Sequence, residues 1–137
     1  MRFMVIVKAT KDSESGVLPT GEQLAEMGAF NDQLIKAGVM LAGDGLQASK
    51  KGARITFAGG KPAVTDGPFA ETKELVAGFW IVAVKSKEEA IEWFSRAPFD
   101  DGELEIRQVF EAEDFGVELT AQMRERDQRL RREISAK

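Results

Sequence analysis

The sequence predicts an α+β domain in which two helices cover one face of a β-sheet. Apolar, β-branched runs alternate with two amphipathic helical segments, in the order strand–helix–strand, hairpin, strand–helix–strand. That order is the order of a ferredoxin-like sandwich with an inserted β-hairpin. Two strands are apolar on both faces, which predicts that a second copy covers the face without helices in a symmetric homodimer. We place the domain at residues 1–112 and a charged helical extension at residues 113–137.

The domain begins with a strand and an amphipathic helix. Residues 1–9 are apolar and too few for a typical helix, so they predict a strand. A polar loop over residues 10–19 precedes Thr20, which can cap a helix over residues 21–37 that Gly38 ends. The stripe that this helix would turn toward the sheet contains Leu24, Met27, Asn31, Leu34 and Ile35.

Glycines mark the strands that follow. The predicted strands lie at residues 39–46, 53–58 and 61–65. Gly43 and Gly45 interrupt the first of them, either as a bend or bulge or as a place where a ligand approaches the backbone. Gly59-Gly60 predicts the two-residue turn of a hairpin between the other two.

The second half repeats the strand–helix–strand pattern. Its predicted elements are a strand at 76–85, a helix that runs from the capping box Ser86–Glu89 to Pro98, and a strand at 102–110. Residues 117–137 predict a separate helix with charges of both signs, which we expect to lie along the domain or its partner. Its thin apolar seam contains Leu119, Met123, Leu130 and Ile134.

Composition excludes several chemistries. The chain of 137 residues contains no cysteine, histidine or tyrosine. Disulfides, thiolate metal sites and the commonest general base are therefore absent, and acid–base work would fall to aspartate, glutamate or lysine. The formal net charge of −4 argues against nucleic-acid binding. No membrane span or signal peptide is evident, so we predict a cytoplasmic protein, and we predict no metal and no cofactor.

The segment TDGPFAETKE carries the strongest functional candidate, Asp66. Three carboxylates and Lys73 are crowded into one connection beside a buried strand, where a carboxylate near an ammonium can act as an acid–base pair or a ligand clamp. The structural alternative is a turn in which Asp66 accepts backbone amides and Phe69 packs into the core.

Other candidates lie elsewhere in the chain. Asp44 between two glycines is placed at the rim of a pocket, and Asn31 is either a ligand-orienting amide or a polar group bonded to backbone. Met27 is a core or dimer-seam residue in the alternative interpretation. We predict Asp66 as the catalytic residue, and as ligand-binding residues Lys73, Asp44, Asn31, Phe69 and Met27.

These motifs carry a family resemblance. The run VTDGPFAETKE, with AGVMLAGDGLQ before it and AGFWIVAVKSKEEAIEW after it, resembles the DGPF subgroup of the YCII-related proteins. The EAEDFGVEL run and the charged helix resemble a longer branch of that subgroup. The resemblance implies a dimeric α+β barrel of ferredoxin-like halves and an association with sigma factors. The broader group, which resembles muconolactone isomerase and a dechlorinating enzyme, implies a histidine–aspartate pair, of which only Asp66 carries over because histidine is absent.

Two functions follow as hypotheses. The first is a lyase- or isomerase-like enzyme that acts on a small molecule in a pocket near the DGPF segment, with Asp66 as acid–base group. The second is a non-catalytic dimeric protein that binds a metabolite or regulates a partner, with the link to sigma factors that the resemblance implies. The missing histidine favours the second, and the polar loop beside an apolar pocket favours the first.

Overall fold

The computed structural model describes residues 1–71, 74–116 and 121–136. The strands are β1 (Arg2–Lys8), β2 (Met40–Gly45), β3 (Ala53–Ala58), β4 (Lys61–Asp66), β5 (Val76–Ala83) and β6 (Leu104–Gln108). The helices are α1 (Lys11–Glu14), α2 (Gly21–Lys36), α3 (Lys87–Phe94) and α4 (Ala121–Ala136), and short 3-10 turns cover Ser49–Lys51 and Ala112–Phe115.

Four strands form one antiparallel sheet in the order β2-β5-β1-β6, and β3 pairs with β4 in a separate two-stranded sheet. Val5 at the centre of β1 faces Trp80 of β5 on one side and Ile106 of β6 on the other. The mixed α+β architecture with antiparallel sheets is consistent with the predicted ferredoxin-like fold.

The core lies between this sheet and helices α2 and α3. Its buried members are Phe3, Val5, Phe30, Leu34, Val39, Trp80, Val82, Val84, Ala90 and Phe94. Phe30 and Phe94 meet edge-on at 5.6 Å between ring centroids, and Trp80 lies 5.1 Å from Phe94. These contacts join both helices to β5, so the aromatic cluster fixes where α2 lies over the sheet.

The predicted inward stripe of α2 is wrong at its two edges. Leu34 is fully buried, whereas Leu24 and Ile35 are 60% and 58% exposed. Phe30, which the predicted stripe omits, is only 5% exposed and contacts Trp80 and Phe94. The helix is therefore rotated toward its aromatic side, because a ring fills more of the space above the sheet than a second aliphatic side chain.

Local sequence signals account for the helix ends. Thr20 caps α2 by accepting from the N–H of Gln23 at 3.1 Å, and the Gln23 amide oxygen accepts from the Thr20 N–H at 2.9 Å. Ser86 caps α3 as predicted, but the Glu89 carboxylate accepts from the Lys85 N–H rather than from Ser86. The segment expected to be a plain loop contains α1, which Thr10 caps.

The sheet face opposite α2 and α3, here called the outer face, is apolar in its middle. Strand alternation places Met4, Ile6, Phe79 and Ile81 there, and all four are partly exposed. Charged side chains border them, with Glu105 3.3 Å from both Lys8 and Arg107. The two-faced apolar character predicted for β1 and β5 is thus present in the folded chain.

Helix α4 occupies residues 121–136 of the predicted helix 117–137, and Leu119 of the predicted seam lies outside the described residues. Met123, Leu130 and Ile134 are exposed along it. Asp127 and Arg131, four residues apart on α4, form an ion pair at 2.9 Å. Within the described residues, no helix is long and apolar enough to cross a bilayer.

Candidate functional site

A cavity of about 390 Å³ opens between α2 and the end of the sheet formed by β2 and β5. Its wall is made by Val7, Met27, Asn31, Gly43, Asp44, Gly45, Ala77, Gly78, Phe79, Trp80 and Phe99. The volume is in the range of pockets that hold small organic molecules.

The cavity exists because three glycines face α2. Gly45 pairs with Gly78 across the two strands, and Gly43 pairs with Trp80, so this part of the sheet carries almost no side chains. A Cβ atom on Gly45 would meet nothing within 4 Å. A Cβ on Gly43 would lie 2.9 Å from Cδ1 of Trp80, so glycine there lets the indole lie across β2.

One polar contact crosses the cavity wall. The indole Nε1–H of Trp80 donates to the Oδ1 of Asn31 at 2.9 Å and thereby ties β5 to α2. The sequence predicted for Asn31 either a ligand or a backbone partner, and neither interpretation included Trp80. The Asn31 amide accepts its hydrogen bond from an indole and not from backbone. Among the described residues, the remaining wall is aliphatic, aromatic or glycine, apart from Asp44.

Asp44 borders the cavity from the edge strand β2. It pairs with Phe79, a residue of the outer face, so strand alternation directs its side chain away from the glycine-lined wall. Asp44 is exposed, and among the described residues Asn31 is the polar side chain that remains on the inner wall.

The DGPF segment, residues 66–69, is bound to the turn at Ser49–Lys51. The Gly67 N–H donates to the Gly52 carbonyl at 3.0 Å, and the Phe69 N–H donates to the Ser49 hydroxyl at 3.1 Å. The Phe69 ring lies 3.9 Å beneath the guanidinium of Arg54. The prediction that Phe69 packs into the core is wrong, because a cation and a turn hold it outside that cluster.

The predicted site residues therefore fall into three groups. Met27, Asn31 and Asp44 border the cavity. Asp66 is the exposed last residue of β4, opposite Ala53, and neither Asp66 nor Phe69 borders the cavity. Lys73 lies outside the described residues. The Asx-turn hydrogen bond expected at Asp66 is not formed to any described residue.

Among the described residues, the carboxyl groups of Glu14 and Glu105 have perturbed pKa values, and both belong to structural contacts. The hydrogen bond from the Ser49 hydroxyl, together with the Ser49 N–H, lowers the pKa of Glu14. The hydrogen bond from Lys8, and then that from Arg107, lowers the pKa of Glu105. Within the described residues, no group of three or more acidic side chains is arranged to hold a metal ion.

Trp80, Gly78 and Phe99 border the cavity and were not among the predicted residues. The sequence contains a pattern that could have identified two of these residues, Trp80 and Gly78. A buried indole N–H needs an acceptor, and the inward stripe of α2 offers Asn31 as one. Gly78 interrupts an otherwise apolar strand, which indicates a close backbone approach. Phe99 follows α3 in a loop, where no pattern indicates its direction.

The fold and the cavity define a small α+β protein with a ligand-sized pocket between its sheet and its first long helix. The sequence model of the YCII-related domain matches residues 1–113, and the chain belongs to that family. An uncharacterized protein of Rhizobium meliloti (strain 1021) is 30% identical over 87 residues, which are 61% of this chain and 70% of that protein.

A solved structure similar to this chain is 5-chloro-2-hydroxyhydroquinone dehydrochlorinase (TftG) from Burkholderia phenoliruptrix AC1100, in complex with 2,5-dihydroxybenzoquinone. The TM-score is 0.46 and the sequence identity is 16%. The match covers 81% of this chain and 95% of that chain.

Proposed function

We propose that this YCII-related protein, of the DGPF subgroup, binds a small and largely apolar organic molecule in the cavity between α2, β2 and β5. The observation that carries the proposal is the glycine-lined wall opposite Met27 and Asn31. An apolar pocket with few placed polar groups is the usual form of a small-molecule site. This corresponds to the predicted metabolite-binding or regulatory protein.

Filling the cavity tests the proposal directly. Gly45→Leu adds a side chain on the wall where a Cβ meets no atom within 4 Å. We expect the variant to fold and to weaken the binding of small neutral monocyclic compounds by about tenfold or more, because overpacking costs about 1–3 kcal/mol. Saturation-transfer NMR measures the binding.

Gly28→Leu is the matched control, because a Cβ there also meets no atom within 4 Å and Gly28 does not border the cavity. It should bind the same compounds as the natural protein does. Equal binding by natural protein and Gly45→Leu would rule out this cavity as the binding site.

The second candidate function is a lyase- or isomerase-like enzyme. Asp44, an exposed residue that lies between two glycines of the cavity wall, favours it, because acid–base chemistry in a chain without histidine falls to carboxylates or lysine. The catalytic role of Asp66 remains a prediction based on the DGPF motif.

Asp66→Asn tests the catalytic role of Asp66. Since Asp66 is exposed at the end of β4, we expect the free energy of unfolding to change by less than about 0.5 kcal/mol. If Asp66 is the acid–base group, turnover of any substrate is lost by at least about a hundredfold. Turnover that persists in a stably folded Asp66→Asn protein would exclude that role.

We also propose that a second copy of the chain covers the outer face, which makes the assembly a dimeric α+β barrel. A two-fold interface must be self-complementary, and this face carries an apolar middle with both signs of charge at its border.

We expect the protein to sediment as a dimer at micromolar concentration and Met4→Glu to sediment as a folded monomer. Leu24→Glu, exposed on α2, is the control and should remain dimeric. A natural protein that sediments as a monomer would refute the proposal.

A further inference from the structure

The orientation of the Asn31 amide follows from its partner. An indole nitrogen can only donate a hydrogen bond, so the group 2.9 Å from Trp80 Nε1 must be the Asn31 oxygen. Trp80 itself is buried and held by ring contacts, at 6.1 Å from Phe30 and 5.1 Å from Phe94 between centroids. Asn31 therefore presents its NH2 group, Nδ2, on the side away from the indole.

That NH2 group faces accessible space. No described residue accepts a hydrogen bond from Asn31 Nδ2, and no fully buried side-chain polar atom among the described residues lacks a partner. An unpartnered Nδ2 must then be reachable by solvent, and Asn31 forms part of the cavity wall. The cavity consequently offers a ligand a hydrogen-bond donor in a fixed position.

We propose that the cavity selects neutral molecules that carry a carbonyl oxygen, which accepts from Asn31 Nδ2, and that Trp80 is the positioning residue that sets this preference. The inference rests on the proposed small-molecule function and names the chemical class of the ligand. The Asp44 side chain points away from the glycine-lined wall, and among the described residues the apolar inner wall offers neither an anion nor a cation an ion-pairing partner. A carbonyl satisfies the amide donor without carrying a charge into this wall.

Two probes of matched shape test the proposal: acetophenone and ethylbenzene, which differ by a carbonyl in place of a methylene. The measured quantity is the ratio of their association constants, determined by titration NMR for natural protein and for each variant. The two probes differ in hydration free energy, but this difference is the same for every protein. It therefore cancels when the ratio of association constants is compared between the natural protein and a variant.

In Asn31→Leu, the acetophenone-to-ethylbenzene ratio is expected to fall roughly 3- to 10-fold, as for the loss of one neutral hydrogen bond. In Trp80→Phe, which removes the indole N–H and leaves Asn31 in place, the ratio should fall by about two- to threefold because the amide is no longer held in one orientation. A purely structural role for Trp80 would weaken both probes equally and leave the ratio unchanged.

The outcomes separate the two proposals. An unchanged ratio in Asn31→Leu overturns the carbonyl preference, and an unchanged ratio in Trp80→Phe overturns the positioning role. If Gly45→Leu fails to weaken either probe, or if neither probe binds the natural protein, the proposed function itself fails and the inference fails with it. Circular dichroism melts confirm that each variant is folded before its ratio is interpreted.

Discussion

Replacing Leu34 with alanine is expected to lower the free energy of unfolding by about 2–5 kcal/mol and the melting temperature by roughly 8–20 °C. Leu34 is fully buried in the core that joins α2 to the sheet. Truncation removes the transfer free energy of three carbons and leaves a hole that the packed rings of Phe30 and Phe94 cannot close. Urea denaturation monitored by tryptophan fluorescence measures the change.

Ile35→Ala is the control, because it removes a comparable side chain from the next position of the same helix. Ile35 is 58% exposed, so its free energy of unfolding should change by no more than about 0.5 kcal/mol. Equal losses for the two variants would mean that α2 does not have the rotation described above, with Phe30 inward and Ile35 outward.

Gly67→Ala is expected to destabilise the protein by about 1–3 kcal/mol or more. A Cβ at this position would lie 1.8 Å from the carbonyl oxygen of Ser49, a backbone atom that cannot turn aside. The DGPF segment would have to leave its turn, which breaks the hydrogen bonds from Gly67 to Gly52 and from Phe69 to Ser49. We expect the Phe69 amide to lose its protection in hydrogen exchange.

The matched control for Gly67 is Gly28→Ala. A Cβ at Gly28 meets no atom within 4 Å, and alanine in a helix interior is favoured over glycine by roughly 1 kcal/mol. The two glycine-to-alanine changes should thus shift stability in opposite directions. A Gly67→Ala protein as stable as the natural one would show that the close approach to Ser49 is not needed.

Much of the fold could be predicted, because its signals are local. Thr20 and Ser86 cap helices as expected, Gly59-Gly60 joins two strands, and alternation identified the apolar faces of β1 and β5. The predictions that were wrong concern features that depend on tertiary packing. The rotation of α2 is decided by how Phe30 meets Trp80 and Phe94, residues far from it in sequence, and no helical period distinguishes Phe30 from Ile35 as the inward residue.

The site could be predicted in part. Asn31, Met27 and Asp44 were singled out and do border one cavity. The charged composition of the DGPF segment predicted a functional role for it. The position of the segment, however, is set by its contact with Ser49, which lies 18 residues earlier than Gly67, and no local sequence pattern indicates that contact. Sequence indicates which residues are unusual, whereas their mutual distances arise only from the folded backbone.

The glycine-lined wall has a consequence for how this family can diverge. Gly45 is not part of the packed core, and a Cβ atom there would meet no other atom within 4 Å. A larger residue at this position would therefore shrink the pocket without displacing Leu34 or the aromatic cluster. Ligand size and folding stability can then evolve almost independently. Related chains with the same scaffold could acquire different chemical preferences through single changes at β2, each accessible without an unstable intermediate.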